Sequence, residues 1–316
     1  MWAICIRQIG SGRDFCAMSD TWGDPISPAH AGLLRTAFVA CHKKAWCYFV
    51  PFLCAFSLPP NRVVRVLTHG KSIFLLLERP DGIDFLCPPA PFDKDAFDDV
   101  LNKVLAFNGE RSTRILWVDA NDASLLDASQ FEFKEKDEEY IYDPSLIANA
   151  KGRAFKDVRK RVHRFEREHR SQFRPLLVED VEACQELLKY WRKRQGRKHP
   201  FLLDWGYTKA ALDAFDRWSS EFLNGWCLEV DGQVKAFALV GEMLPQMAHF
   251  FVAKTDPDVW GLSEYFRWQV YQTLLHYRWV NDAGDLGLEG LRQFKMKFRP
   301  VDRLQVFSAE IRKEGL

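Results

Sequence analysis

Residues 226–240 read WCLEVDGQVKAFALV, two apolar runs on either side of Asp231-Gly232. Asp-Gly supplies the backbone angles of a two-residue hairpin turn, so this stretch predicts two antiparallel strands. His249 to Ala253 is a further apolar run of strand length, and an aromatic helical pattern follows from Gly261 to Val280. The second half of the chain is therefore predicted to contain an antiparallel sheet followed by a long helix.

The first half has the same order of patterns. Three strand-like runs are separated by turn sequences that contain Gly, namely Val63 to Leu67, Ser72 to Leu77 and Ile83 to Leu86. A helical pattern from Phe92 to Phe107 and a strand-like run from Arg114 to Val118 follow. The shared order indicates one α+β unit used twice. We expect a loose tail at residues 1–22, a first domain at 23–143 and a second at 144–316.

Composition is that of a globular protein with room for two cores. Of the 316 residues, 47% are apolar or aromatic and 28% are charged. The longest apolar run, Ala45 to Leu58, is shorter than the roughly 20 residues of a membrane-spanning helix, and it predicts a core element. Eight cysteines without a C-x-x-C pair are typical of free thiols in a reducing compartment. We expect a cytoplasmic protein, in solution or peripheral at the inner membrane face.

Charge is concentrated at the start of the second half, although Lys plus Arg total 44 against 43 Asp plus Glu. Lys151 to Arg174 contains ten Lys and Arg against three Asp and Glu, and its apolar residues recur at helical spacing. One stripe of this helix can therefore be buried while cations cover the rest. Such a surface can follow a phosphate backbone or attract anionic lipid, or it can be a solvated helix face.

The closing segment, residues 281–301, reads NDAGDLGLEGLRQFKMKFRPV. A helix that starts near Glu289 places Arg292, Lys295 and Arg299 on one face. Leu291, Phe294 and Phe298 fall on another face, which predicts that one side packs and the other presents charge. The alternative is a salt-bridged terminal helix with solvated cations.

Two blocks of this sequence resemble the C-terminal catalytic domain of phosphatidylglycerol lysyltransferases. The first runs through Tyr140-Ile-Tyr142, Leu146 to Arg153, and Arg159-Lys160-Arg161 with His163-Arg164-Phe165. The second runs from Asp285 through Lys295 to Arg299-Pro300. The resemblance implies an α+β fold of two tandem GNAT-like acyltransferase domains, each a mostly antiparallel twisted sheet flanked by helices, with the active cavity mainly in the second.

The family moves an amino acid from aminoacyl-tRNA to a lipid head-group hydroxyl, and the resemblance implies such a reaction here. Lipid-modifying members carry many membrane helices ahead of this domain, and this sequence contains none, so the acceptor stays open among a lipid head group, a small molecule and a peptide. An aminoacyl ester is already activated, so transfer needs an aligned nucleophile, a proton acceptor and an oxyanion donor. We expect no metal or other cofactor, with aminoacyl-tRNA as co-substrate.

The resemblance and the closing segment together give the candidate site residues. The expected catalytic residues are Asp285, Glu289, Arg292 and Lys295. In this set, Asp285 or Glu289 accepts a proton or holds the substrate amine, and Lys295 or Arg292 stabilises the oxyanion. Expected substrate contacts are Asn281, Asp282, Gly261, Tyr265 and Arg299. Expected RNA contacts are Lys151, Arg153, Arg159, Lys160 and Arg164.

Two other functions remain open. The first is a GNAT acyltransferase that uses acyl-CoA or an acyl carrier protein. Such an enzyme usually binds pyrophosphate at a Gly-rich helix N-terminus, whereas Val252 to Ser263 contains one glycine and two aspartates. The second is a non-catalytic module that binds nucleic acid or an acidic membrane. The motifs G-x-x-x-x-G-K-[ST], G-x-G-x-x-G, G-x-S-x-G and H-E-x-x-H are absent from the sequence.

Overall fold

The structure is a computed structural model, and it describes residues 22–195 and 204–312. The tail expected at residues 1–22 lies outside this part of the chain, apart from Trp22. The helices of the described residues are α1 (Ala31–Ala40), α2 (Val50–Phe56), α3 (Lys94–Asn108), α4 (Ala120–Ala123), α5 (Pro144–Asn149), α6 (Lys156–Glu168), α7 (Val181–Gln195), α8 (Asp204–Asp213), α9 (Leu262–Thr273) and α10 (Glu289–Met296). The strands are β1 (Asp24–Pro25), β2 (Val63–His69), β3 (Ser72–Arg79), β4 (Gly82–Phe85), β5 (Arg114–Asp119), β6 (Phe131–Tyr142), β7 (Ser171–Pro175), β8 (Asn224–Val230), β9 (Gln233–Leu244), β10 (Met247–Thr255), β11 (Trp279–Asn281) and β12 (Asp302–Ile311).

The strands form one sheet in the order β1-β2-β3-β4-β5-β12-β6-β11-β10-β9-β8-β7. Each half contributes an antiparallel meander, β2-β3-β4 or β8-β9-β10. A helix then leads to a strand that is parallel to the last strand of the meander, β5 beside β4 and β11 beside β10. The fold is therefore α+β with two GNAT-like units in tandem, as the sequence predicts.

The last strands of the two units are exchanged at the centre of the sheet. β12, from the end of the chain, pairs with β5 of the first half and with β6. β6 in turn pairs with β11 of the second half. The division into residues 23–143 and 144–316 stays a prediction, and the hydrogen-bonded strands cross it.

The two faces of the sheet carry separate cores because neighbouring residues of a strand point to opposite faces. One core lies between the sheet and α1, α2, α7 and α8, and it draws residues from both halves of the chain. Another lies under α5, α6, α9 and α10. A third lies under α3 in the first half. The run from Ala45 to Leu58 is the core element that its composition predicts, with most residues of α2 buried in the first of these cores.

Three strands differ from the sequence prediction. The helical pattern from Gly261 to Val280 ends at Thr273, and Trp279–Asn281 instead forms β11 between β10 and β6. Neither β6 nor β12 was predicted as a strand. Their partners lie far away along the chain, so local periodicity does not reveal them.

Candidate active site

The parallel pairing of β10 and β11 places the carboxyl end of β11 beside His249, near the start of β10, which continues to Thr255. The strands pair from Met247 beside Trp279 to His249 beside Asn281, where β11 ends. Ligand sites of open sheets lie outside the carboxyl ends of parallel strands, so the carboxyl end of β11 is the place to look for a site.

A tight turn follows β11. The Asn281 side-chain oxygen accepts a hydrogen bond from the Ala283 amide at 2.8 Å, and Ala283 has a φ of 51°. The Tyr140 backbone of β6 is hydrogen-bonded to the same turn, through Asp282 N at 3.0 Å and Ala283 O at 3.1 Å. This turn is therefore fixed against the neighbouring strand.

Lys295 reaches back from α10 into this turn. Its Nζ donates to the carbonyl of Asp282 and, at 3.0 Å, to that of Ala283, and it lies 3.7 Å from Asp282 Oδ1. The residue is only 5% exposed. Burial lowers the pKa of the Lys295 ammonium to about 8, against the opposing attraction of Asp282. The site thus holds a buried cation with one N–H beyond the two that the carbonyls accept.

Asp285 organises the other side of the cluster. Its carboxylate accepts hydrogen bonds from the Tyr140 hydroxyl at 2.5 Å, Arg292 Nε at 2.9 Å and Gly287 N at 3.0 Å. Burial raises the pKa of Asp285, but these three donors outweigh burial and hold it below its ordinary value. Asp285 is therefore a persistent anion that holds the Tyr140 hydroxyl and the Arg292 guanidinium in place.

Arg267 of α9 completes the buried charges. Its guanidinium pairs with Asp282 and lies over the Phe250 ring, 4.5 Å from the centroid. The Phe294 and Phe298 rings are 5.3 and 5.7 Å away. Arg267 and Lys295 thus share the carboxylate of Asp282, on a wall of aromatic rings.

The structure brings together three of the four expected catalytic residues. Asp285, Arg292 and Lys295 surround Tyr140, whereas the side chain of Glu289 is 68% exposed. Glu289 accepts from Gln293 Nε2 at 2.9 Å and lies 3.9 Å from Arg292. Glu289 therefore belongs to the rim of the cluster.

The expected substrate contacts divide in the same way. Asn281 and Asp282 lie in the cluster. Gly261 begins α9 with a φ of 78°, and Tyr265 is stacked on Phe165 of α6 at 4.5 Å, so both lie between two helices of the core. Arg299 donates to the Ala154 carbonyl at 3.3 Å, beside the start of α6.

The expected RNA contacts all lie on or next to α6. Lys151, Arg153 and Lys160 are exposed. Arg159 donates to the carbonyls of Ala150 and Gly152, so it holds the turn before the helix.

Arg164 also has partners within the chain. It pairs with Glu168 at 2.7 Å and lies 4.1 Å from the centroid of the exposed Trp260 ring. Of the five expected RNA contacts, Lys151, Arg153 and Lys160 therefore remain open to a polyanion.

Sequence reasoning missed four residues at this edge of the sheet, namely Tyr140, Arg267, Glu139 and His249. Two of them could have been found from the sequence. Arg267 is a lone arginine within the aromatic pattern of α9, and His249 is a lone histidine within an apolar strand. Glu139 carried none, because it ends a run of charged residues that otherwise face solvent.

This fold and cluster define the class of the protein as a tandem GNAT-like transferase. The family model described as "Phosphatidylglycerol lysyltransferase, C-terminal" matches residues 50–310. The chain therefore belongs to this family of transferases. No curated protein sequence matches the chain.

Solved structures are similar in fold at low sequence identity. A conserved protein of unknown function from Bacteroides thetaiotaomicron has a TM-score of 0.77 and 21% identity, covering 92% of this chain and 99% of that one. L-PGS from Bacillus licheniformis has a TM-score of 0.64 and 16% identity, with 93% and 94% covered. FemX has a TM-score of 0.53 and 12% identity, with 78% and 88% covered.

In the part of the chain that the structure describes, no helix is both long and apolar enough to cross a membrane.

Proposed function

We propose that this protein transfers an aminoacyl group from aminoacyl-tRNA to a hydroxyl or amine acceptor. The observation that carries the proposal is the buried Lys295 ammonium, held by the carbonyls of Asp282 and Ala283 in the turn that follows the carboxyl end of β11. The family name, a lysyltransferase, supports an aminoacyl donor.

The proposed transfer uses the third N–H of the Lys295 ammonium, which neither carbonyl accepts. The acceptor oxygen or nitrogen attacks the ester carbonyl, and a tetrahedral oxyanion forms. The third N–H of Lys295 donates to that oxyanion. The ester C–O bond then breaks, the terminal ribose oxygen of the tRNA takes up a proton, and the acceptor loses one. A preorganised donor of this kind contributes about 10²- to 10³-fold to the rate constant.

The neighbours of Lys295 have supporting roles. Asp285 stays ionised and holds the Tyr140 hydroxyl and the Arg292 guanidinium in place. Arg292 is 54% exposed at its side chain, so it can face the phosphate next to the esterified ribose. No metal or redox cofactor is required by this reaction.

The body of the tRNA is proposed to lie along the basic surface of α6. Lys151, Arg153 and Lys160 are open to solvent there. Arg299 links the loop after α10 to the segment before α6, so the basic surface continues toward the cluster. Backbone phosphates gain from such a surface through release of counterions.

An acyl-CoA donor is the alternative, and the start of α9 disfavours it. A pyrophosphate bound at this helix N-terminus would meet the carboxylates of Asp256 and Asp258, which precede it. Asp256 pairs with Lys235 at 3.0 Å, and Asp258 pairs with Arg194 at 2.6 Å. Two carboxylates already occupy the positive end of this helix dipole and would repel a bound pyrophosphate.

The test is to incubate the protein with tRNA that carries a radiolabelled amino acid, with phosphatidylglycerol vesicles or a soluble small-molecule and peptide extract as acceptor. Parallel reactions contain ribonuclease, or labelled acyl-CoA instead of tRNA. We expect the label to pass from the tRNA to one acceptor fraction. When ribonuclease has been added, we expect no transfer of label to that fraction.

Ribonuclease-insensitive turnover of acyl-CoA would instead support the alternative donor. A protein that is inactive with both donors but retains RNA or vesicle binding would be a binding module.

A further inference from the structure

We propose that Glu139 is a positioning residue that fixes Lys295 from the opposite face of the sheet, acting through Asn281. This inference rests on the proposed role of Lys295. It concerns a residue outside the two sequence blocks that resemble the family, and on the other side of β6 from Tyr140.

The first link is the contact between Glu139 and Asn281. Glu139 is fully buried, and its Oε2 accepts from Asn281 Nδ2 at 2.5 Å and from the Trp46 amide at 2.9 Å. Its Oε1 is buried and has no hydrogen-bond partner among the described residues. Burial of a carboxyl group is unfavourable because the group is desolvated. Its presence here therefore indicates a role that a hydrophobic side chain would not fill.

The second link is Asn281 itself. Its Nδ2 also donates to the Lys44 carbonyl at 2.9 Å, and its Oδ1 accepts from the Ala283 amide at 2.8 Å. The His249 ring is hydrogen-bonded through Nδ1 to the Asn281 carbonyl at 2.9 Å. Asn281 is therefore held on three sides, and it holds the left-handed residue Ala283 in turn.

The third link joins the turn to the ammonium. The carbonyls that receive Lys295 Nζ belong to Asp282 and Ala283, the two residues directly after Asn281. An anchor on Asn281 thus sets the direction of both carbonyls. Without the anchor, the turn keeps its two backbone hydrogen bonds to Tyr140 but loses the contact that orients Asn281, so we expect it to loosen and Lys295 to become more accessible to water.

Charged and titratable groups face Glu139 from four segments, one of them the turn before α2, where Glu139 helps burial to raise the pKa of the Cys47 thiol. Asp119 at the end of β5 and Lys295 of α10 act on it directly, and His249 of β10 is joined to it through Asn281. Burial raises the pKa of Glu139 to about 8, although the donors from Asn281 and Trp46 oppose this. Burial also lowers the pKa of His249 to about 3. Glu139 and His249 are therefore both mainly uncharged at pH 7, so the neutral amide of glutamine can replace the Glu139 carboxyl group.

The experiment follows Lys295 by NMR in the full chain labelled at lysine Cε, with its signal assigned by its loss in Lys295→Met. Glu139→Gln keeps an oxygen that accepts from Asn281 and Trp46, whereas Glu139→Leu removes the acceptor. In wild type we expect the pKa of Lys295 at about 8. In Glu139→Gln we expect no rise, and in Glu139→Leu a rise of about one unit or more toward the ordinary lysine value.

Activity is the second readout. At pH 7, Glu139→Gln is expected to keep the wild-type transfer rate, and Glu139→Leu to lose about tenfold with an unchanged KM for charged tRNA. An inactive Glu139→Gln would mean that the carboxyl proton takes part in the chemistry, which overturns a positioning role. A wild-type pKa of Lys295 in folded Glu139→Leu would overturn the link itself.

Two further measurements keep the test decisive. Should Glu139→Leu fail to fold, Asn281→Ala removes the same link, and it must raise the pKa of Lys295 in the same direction. Because the NMR titration needs no substrate, a wild-type protein without transfer activity would refute the proposed function and still report on the link.

Discussion

The residue that decides the chemistry is Lys295, and its protonation state gives a direct prediction. Burial lowers the pKa of Lys295 to about 8, so the ammonium loses its proton at a lower pH than an exposed lysine does. Since the charged form is the one that stabilises an oxyanion, we expect the transfer rate constant to fall as pH rises through about 8. The measurement is the pH dependence of single-turnover transfer.

The opposite slope would assign Lys295 a different role. A rate constant that rises through the same pH range would mean that the neutral amine acts as a base. Lys297→Met is the matched control and should keep the wild-type pH profile, because Lys297 lies in the same segment but pairs with Glu264 at 3.0 Å, outside the cluster.

At this scale the sequence predicted the local part of the cluster. The spacing of three residues predicts Arg292 and Lys295 on one face of a helix, and a helix does form there. Arg299 lies beyond its end at Met296, and Lys295 is buried where the sequence predicted a face that presents charge. Tyr140 and Arg267 come from β6 and α9, and no spacing rule joins them to Lys295. Glu289 stays outside because it lies at the first, exposed turn of α10, away from the buried Lys295.

At the scale of elements, α6 gives the second prediction. Lys160 is exposed on the basic surface, so Lys160→Ala is expected to weaken RNA binding at low salt. If Lys160 contacts a phosphate, the slope of log affinity against log salt should decrease by about 0.7 to 0.9. The measurement is a salt titration of tRNA binding.

The control for this prediction is Lys71→Ala, at the turn between β2 and β3, which replaces an equally exposed lysine. A slope that changes equally in both variants would contradict a specific surface on α6. Arg159 is unsuitable as a test residue, because its guanidinium holds the turn at Ala150 and Gly152.

Elements were predictable where their pattern is local. The hairpin around Asp231-Gly232 forms as predicted, and both turn residues have a positive φ, 51° and 77°. β6 and β12 were not predictable from local sequence. β6, which begins FEFKEK, pairs along nearly all of its length with a strand about 170 residues away. β11 is three residues long and takes its strand form from the neighbours on either side.

The exchanged strands β6 and β12 join the two halves of the molecule. β12 is hydrogen-bonded to β5 and β6, and the core beneath α1, α2, α7 and α8 contains residues of both halves. We therefore expect the chain to unfold in a single cooperative transition, although it has the length of two domains. The measurement is urea unfolding followed by tryptophan fluorescence and by far-ultraviolet circular dichroism.

Coincident curves are expected from the two probes. Two separated transitions would mean that the halves are independent, and that the exchanged strands contribute little to the stability of either one.

The central claim is that Lys295 stabilises the oxyanion of aminoacyl transfer, and one comparison tests it most directly. Lys295→Met and Lys297→Met remove the same group from the same segment, but Lys297 is half-buried outside the cluster, where it pairs with Glu264 at 3.0 Å. The measurement is ribonuclease-sensitive transfer from charged tRNA by the two folded variants. We predict a loss of about 10²- to 10³-fold for Lys295→Met and a near-normal rate for Lys297→Met. Equal rates in both variants would contradict the claim.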